Sequence, residues 1–182
     1  MTYIILGIIV IVLLYLVISY NNLIKKKNLV EEGWSSIDVQ LKRRSNLIPN
    51  ILNSVKGYIS HEKNLLQEIT ELRSQSDSAD NVIDQGKAES SLSGSLVNLF
   101  AVAENYPELK ANENFLDLQK QLQETEDDIQ MARRYYNGTV RNNNVLVESF
   151  PTNLVANAFS FEKADFFEIE DQKVRAVPKV EF

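Results

Sequence analysis

The chain begins with a long apolar run that carries no charge. Residues 2–20 are mainly Ile, Leu and Val and contain no charged side chain. As a helix rising about 1.5 Å per residue, this run would be about 28 Å long, close to the thickness of the hydrocarbon core of a bilayer. A cleaved signal peptide is the alternative, but it requires a basic segment before the run and a small-residue cleavage site after it, and neither occurs here. The run therefore predicts a transmembrane anchor over residues 1–20.

Three consecutive lysines predict the orientation of this anchor. Lys25, Lys26 and Lys27 follow the run directly, and basic residues beside a span tend to remain in the cytoplasm. We therefore expect a single-pass protein with its N-terminus outside and its large C-terminal domain in the cytoplasm. Residues 21–73 hold nine basic and six acidic residues, whereas residues 74–182 hold ten and nineteen. A basic membrane-proximal face would suit anionic lipid, although a mixed solvated surface explains the same counts equally well.

Composition excludes several kinds of site. The chain has no Cys, one His and a net charge of −6, so we expect no disulfide, no thiolate metal site and no Cys nucleophile. The acidic balance argues against a nucleic-acid partner. His61 and Glu62 begin like a zinc-protease motif, but the position of its second His holds Leu65. No metal site and no cofactor are predicted.

Beyond the anchor, the spacing of apolar residues predicts helices. Only six Gly and four Pro occur in 182 residues, too few for the many turns of an all-β fold. Apolar residues recur at intervals of three and four, which places them on one face of a helix. Pro49 is expected to end or kink the first helix, and the polar segment 74–86 is predicted to be a loop with room for one helical turn. The predicted helices cover about residues 23–48, 51–72, 88–103 and 112–149.

Antiparallel packing is the economical way to bury four amphipathic faces. We therefore predict an all-α fold, with a transmembrane helix followed by an antiparallel up-and-down bundle of about four helices. The predicted domains are the anchor (residues 1–20), the bundle (21–158) and an aromatic C-terminal tail (159–182) partly packed on it. A long parallel coiled-coil dimer is the alternative, but loops near 75–86 and 105–109 favour a chain that folds back on itself.

Three long blocks of residues carry a family resemblance. They are residues 20–50, which include YNNL, VEEGW, IDVQLKRR and NLIPN, residues 106–115 (YPELKANENF), and residues 132–156, which include ARRYYN, VR and FPTNLVA. With the anchor these blocks cover nearly the whole chain, and on them it resembles the LemA family of bacterial membrane-anchored helical proteins. The chain departs from that pattern at Asn46, where Asp is usual, at Asn143, where Tyr is usual, and at Ser160, where Gly is usual.

The resemblance implies an up-and-down helical bundle on one N-terminal anchor in a bacterial cell membrane. It implies no catalytic residue, because the family has no established activity. Its members are often encoded beside membrane metalloproteases or thylakoid-phosphatase-like membrane proteins, which indicates the kind of membrane protein that could be a partner.

Arginines near the apolar faces are candidates for a structural polar network. Arg44 falls on the apolar face of the first helix, and Arg133 and Arg134 flank that of the longest helix. A buried guanidinium needs acidic partners. Asp38, Glu31 or Asp128 could supply them, and the network would fix the register of the bundle. Binding of an anion or a lipid headgroup is the less favoured alternative.

Aromatic residues after the longest helix are candidates for a partner-binding surface. Five of the eight Phe lie within 18 residues, namely Phe150, Phe159, Phe161, Phe166 and Phe167. The segment could fold back over the bundle, or it could dock another protein, because aromatic residues dominate interface hot spots.

These observations favour a non-enzymatic function. The carboxylate clusters at 31–32, 124–128 and 168–171 resemble solvated helix faces, and no general base accompanies them. We expect a membrane-anchored scaffold or adaptor that contacts other membrane proteins. The alternative is a self-assembling membrane-organising protein, a homo-oligomer that binds lipid through its basic membrane-proximal face.

Overall fold

The computed structural model describes residues 1–59 and 62–167. Within these ranges the secondary structure is helical and contains no strand, so the all-α prediction is confirmed. The helices are α1 (Thr2–Val55), α2 (Lys63–Asp77), α3 (Val82–Ala103), α4 (Pro107–Lys110), α5 (Glu113–Glu148) and α6 (Thr152–Ala158). α1 begins with a segment long and apolar enough to cross a membrane, and the apolar side chains of that segment are mostly exposed.

The chain divides into two compact units. Unit 1 contains Met1–Asp38 and Met131–Phe166, and unit 2 contains Val39–Gln130 together with the described Phe167.

Unit 2 is a bundle of four helical segments around one apolar core. Residues 39–55 of α1 run antiparallel to residues 113–130 of α5, because Arg44 pairs with Glu126 near one end and Tyr58 accepts a hydrogen bond from Asn112 (3.2 Å) near the other. α2 and α3 form a hairpin whose second helix is capped by Asn81. Core residues come from all of these helices and from α4, and include Ile48, Ile51, Val55, Ile69, Leu92, Leu99, Leu109, Phe115 and Leu122.

Unit 1 is built on an antiparallel pair formed by the start of α1 and the end of α5. Leu23 is buried with Val147, and Gly33 lies against Tyr136. A Cβ atom on Gly33 would lie 3.1 Å from the Tyr136 Cα and 3.2 Å from the Thr139 Oγ1. The two helix backbones therefore approach each other closely at this point.

α6 and the residues after it complete unit 1. The helix ends in a Schellman motif, in which the Phe161 N–H donates to the Ala156 carbonyl (2.9 Å) and the Ser160 N–H to the Asn157 carbonyl (3.4 Å). Ser160 has φ = 55°, the left-handed conformation that such an ending requires and that glycine adopts most easily. The Gly expected here by family resemblance thus has a structural reason.

Several predicted helix boundaries were wrong. Of the two outcomes predicted for Pro49, an end and a kink, the end does not occur, because α1 continues to Val55. Ile48, Ile51 and Val55 are all fully buried, so core packing compensates for the lost backbone hydrogen bond. The predicted helix 51–72 is divided, and the predicted loop 74–86 is mostly helical because α2 extends to Asp77 and α3 starts at Val82. α6 was not predicted. His61, carboxylate cluster 168–171 and most of the predicted tail lie outside the described residues.

Candidate functional site

A buried ion-pair network surrounds Arg44 in unit 2. The Arg44 side chain is 2% exposed and forms ion pairs with Glu89 of α3 and Glu126 of α5. Its Nη1 lies 2.5 Å from Glu126 Oε2 and donates to Ser93 Oγ at 2.7 Å. Glu89 also accepts a hydrogen bond from the buried Ser76 hydroxyl of α2. The network therefore joins α1, α2, α3 and α5.

The charges of this network favour a structural role. Burial lowers the pKa of the Arg44 guanidinium, and Glu126 opposes that shift. Two carboxylates already face one guanidinium, so the site has no positive charge left to attract an anion or a lipid phosphate. What the arrangement can do is hold α1, α3 and α5 in one register.

The partners suggested for Arg44 from the sequence are not those found. Glu89 and Glu126 occupy that role, whereas Asp128 lies 3.4 Å from Arg43 in an exposed pair. In unit 1, Asp38 and Arg134 are exposed and Arg133 is half-buried. Among the described residues, neither Arg133 nor Arg134 forms an ion pair. Sequence reasoning misses Glu89 as a partner because the face of the predicted third helix is defined by its apolar residues only.

The five candidate Phe residues fall into different environments. Phe150 and Phe159 are 79% and 59% exposed, and Phe166 is partly exposed. Phe161 is half-buried, with its ring centroid 5.7 Å from that of Tyr20. Phe167 is fully buried. The five rings therefore differ in exposure: Phe150, Phe159 and Phe166 are accessible, whereas Phe167 is not.

The three membrane-proximal lysines lie on α1 in unit 1. Lys25 and Lys27 are exposed and Lys26 is half-buried. Lys27 Nζ lies 4.0 Å from Glu31 Oε1, one helical turn further along. An exposed pair at this distance contributes little to stability, so these lysines are available at the surface.

A cleft of about 300 Å³ lies beside these lysines in unit 1. Its walls are the α1 face around Lys27, the side chain of Asn143 on α5, and the segment 160–164. Charged and apolar groups alternate around it, including Lys27, Glu31, Phe161 and Lys163. No sequence pattern predicts this cleft, because it depends on how segment 160–164 crosses the helix pair.

Side chains of α5 hold segment 160–165 in place through hydrogen bonds to its backbone. Asn144 forms two hydrogen bonds with the backbone of Ala164, and the Tyr136 hydroxyl donates to the Asp165 carbonyl at 2.8 Å. Burial, together with the negative charge of Asp165, raises the pKa of Tyr136 to about 12. The wall of the cleft is therefore a fixed structure.

No group of three or more His, Cys, Asp or Glu side chains is placed to hold a metal ion in residues 1–59 and 62–167. These residues instead form a cleft lined by charged and apolar groups, on the part of α1 just after its apolar run.

Comparison with known proteins yields one family and three relatives. Residues 33–182 match the model of the LemA family. The chain is 27% identical over 155 residues to Protein LemA of Metamycoplasma hominis, an alignment that covers 83% of this chain and 69% of the relative. It is 21% identical over 179 residues to the magnetosome proteins MamQ 1 and MamQ 2 of Paramagnetospirillum magneticum, covering 84% of this chain and 66% of each relative. The chain thus spans about two thirds of the length of these relatives.

Proposed function

We propose that this chain, which belongs to the LemA family, is a membrane-anchored adaptor that acts through protein–protein contacts. Membrane association rests on the apolar start of α1, whose side chains are not packed inside protein. In the proposed orientation, the lysines after the span lie in the cytoplasm together with the large domain. No enzymatic activity is part of the proposal.

The observation that carries the proposal is the continuity of the anchor with the folded part of unit 1. α1 passes from the apolar run to Asp38 without a break, and Leu23 and Ile37 are already fully buried. No flexible linker separates the anchor from the surfaces that follow. The cleft beside Lys27 and Glu31 is therefore held close to the membrane surface, where a segment of a neighbouring membrane protein can reach it.

Photo-crosslinking within the membrane tests this proposal. A benzophenone amino acid at Glu31, which lines the cleft, should form an adduct with one reproducible membrane protein that also co-purifies without crosslinking. The same amino acid at Ser35, exposed on α1 but not lining the cleft, is the matched control. Adducts at both positions, or at neither, would contradict a specific contact at the cleft.

The second candidate function is a self-assembling membrane-organising protein. The exposed Lys25 and Lys27 favour it, because adjacent cations at a membrane surface attract anionic lipid. Adducts at Glu31 that contain only a second copy of this chain would support this function and exclude the adaptor. Purified protein should then form oligomers whose size depends on anionic lipid.

A further inference from the structure

An uncharged segment of unit 1 lies far along the chain from the anchor. The thirteen residues 149–161 contain no Asp, Glu, Lys or Arg. They include α6, and three of their large apolar side chains are exposed: Phe150 by 79%, Leu154 by 60% and Phe159 by 59%. Exposed apolar side chains clustered in an uncharged segment are typical of a surface that contacts a membrane or another protein.

This segment contacts α1 within its apolar run. The Tyr15 hydroxyl lies 3.4 Å from Thr152 Oγ1, and the ring of Tyr20 makes an edge contact with that of Phe159 at 4.9 Å between centroids. Val155 is buried in a cluster with Leu23. α6 therefore lies beside residues 15–23 of α1.

The depth of these contacts follows from helix geometry. Tyr15 precedes Tyr20, the end of the apolar run, by five residues, which corresponds to about 8 Å along a helix. Amphipathic elements that lie in a membrane interface are buried to about 5–10 Å. If the run spans the bilayer, a segment that touches Tyr15 lies at that depth.

The charged residues that follow the apolar run and flank this segment lie close to one another in unit 1. The first charged residue after the apolar run is Lys25, and the uncharged segment is bounded by Glu148 and Glu162. Lys163 Nζ lies 2.8 Å from Glu148 Oε1. Lys163 also lines the same cleft as Lys27. The three stretches of chain therefore change from uncharged to charged at one boundary within unit 1.

We propose that residues 149–161 lie in the membrane interface beside the end of the span, with Phe150, Leu154 and Phe159 inserted among the lipids. The occupant of this apolar surface is the leaflet that surrounds the span, because the surface continues directly from the lipid-facing side of α1. The exposed polar side chain of Asn157 in the same segment suits the headgroup region. Unit 1 thus has two membrane contacts, the span and α6.

Depth measurements on single-cysteine variants test the proposal. The natural chain has no Cys, so Phe150→Cys and Leu154→Cys each accept one environment-sensitive nitrobenzoxadiazole label, at positions too exposed to disturb packing. Met131→Cys is the control, because it is 54% exposed on α5 of the same unit, many turns away from α6. The full chain is placed in vesicles of phosphatidylcholine and phosphatidylglycerol that contain no other protein, and circular dichroism checks that each labelled chain melts as the unlabelled one does.

If the segment lies in the interface, the labels at 150 and 154 should emit at shorter wavelengths than the label at 131. They should also be quenched more strongly by lipids with a nitroxide near the headgroup than by lipids with one deep in the acyl chain. The label at 131 should show neither effect. If the labels at 150 and 154 behave like that at 131 in these vesicles, the proposal is wrong. If they are then shielded only in native membranes, a protein covers the surface instead of lipid.

Discussion

The side-chain amide of Asn144 forms two hydrogen bonds with the backbone of a single residue, Ala164. Its Nδ2 donates to the Ala164 carbonyl and its Oδ1 accepts from the Ala164 N–H, both at 2.9 Å. The amide thus imitates the edge of a β-strand and satisfies a segment that belongs to no regular structure. Asn144, together with Tyr136, therefore holds the chain against α5 after α6.

Asn144→Leu should lower the free energy of unfolding by about 1–3 kcal/mol, because both backbone groups of Ala164 lose their partner. Thermal melts of the full chain in detergent micelles measure this loss, and hydrogen exchange should show lost protection of the Ala164 amide. Asn143→Leu is the matched control. The Asn143 amide is buried and makes only long contacts of 3.3 and 3.5 Å, so its replacement should be neutral or stabilising. Equal losses in both variants would refute this account.

Arg44→Met should destabilise unit 2 by about 3–5 kcal/mol, because it leaves the Glu89 carboxylate buried without a counter-charge. Adding Glu89→Gln should recover much of the loss, since the amide carries no charge and still accepts from Ser76. Denaturant titration of the wild type, the two single variants and the double variant gives the coupling energy. Additive effects would show that Arg44 and Glu89 do not act as a pair.

Gly33→Ala should cost about 1–3 kcal/mol, because the added methyl group meets the backbone of Tyr136 and the helices must separate. Gly138→Ala provides the comparison on α5. A Cβ atom there meets nothing within 4 Å, so the gain in helix propensity should stabilise the protein by up to about 1 kcal/mol. Thermal melts of both variants check the opposite signs, and a stable Gly33→Ala protein would contradict the close approach.

We expect ionisation of Tyr136 to lower the free energy of unfolding at high pH. Burial raises the pKa of the Tyr136 hydroxyl from its ordinary value of 10.0 to about 12 in the folded chain, so the unfolded chain loses this proton first. The contribution of this pKa shift to the free energy of unfolding is constant below pH 10 and is lost as the pH rises from 10 towards 12. Tyr136→Phe should be less stable by about 0.5–1.5 kcal/mol at neutral pH, through loss of the hydrogen bond to Asp165. The gap between the two melting curves should narrow above pH 10; a constant gap would exclude the pKa shift.

Protease added to intact spheroplasts should leave the domain after the span uncut, because Lys25, Lys26 and Lys27 are expected to remain in the cytoplasm. Immunoblotting against a C-terminal tag follows the chain, and lysed spheroplasts confirm that the protease can cut it. Efficient digestion in intact spheroplasts would reverse the proposed orientation.

The parts of the fold that depend on local pattern could be predicted from the sequence. The longest apolar series, expected over 112–149, forms α5 with nearly the same bounds. The apolar start of α1 could be predicted from its length and its lack of charge alone. Interactions between distant residues could not be predicted: the Arg44–Glu89 pair joins residues 45 apart. The three-residue spacing from Glu89 to Leu92 puts Glu89 on the buried helix face, but it does not identify the partner. α6 was missed because seven residues are too few to show a helical period.

The ring of Trp34 lies 5.5 Å from that of Tyr136 inside unit 1, and the chain has no other tryptophan. The tryptophan emission of the protein therefore comes from unit 1 alone. Because circular dichroism averages over all the helices, emission that changes before the helical signal would mean that unit 1 opens while unit 2 stays folded. Unlabelled protein can in this way reveal whether the two units unfold together or in sequence.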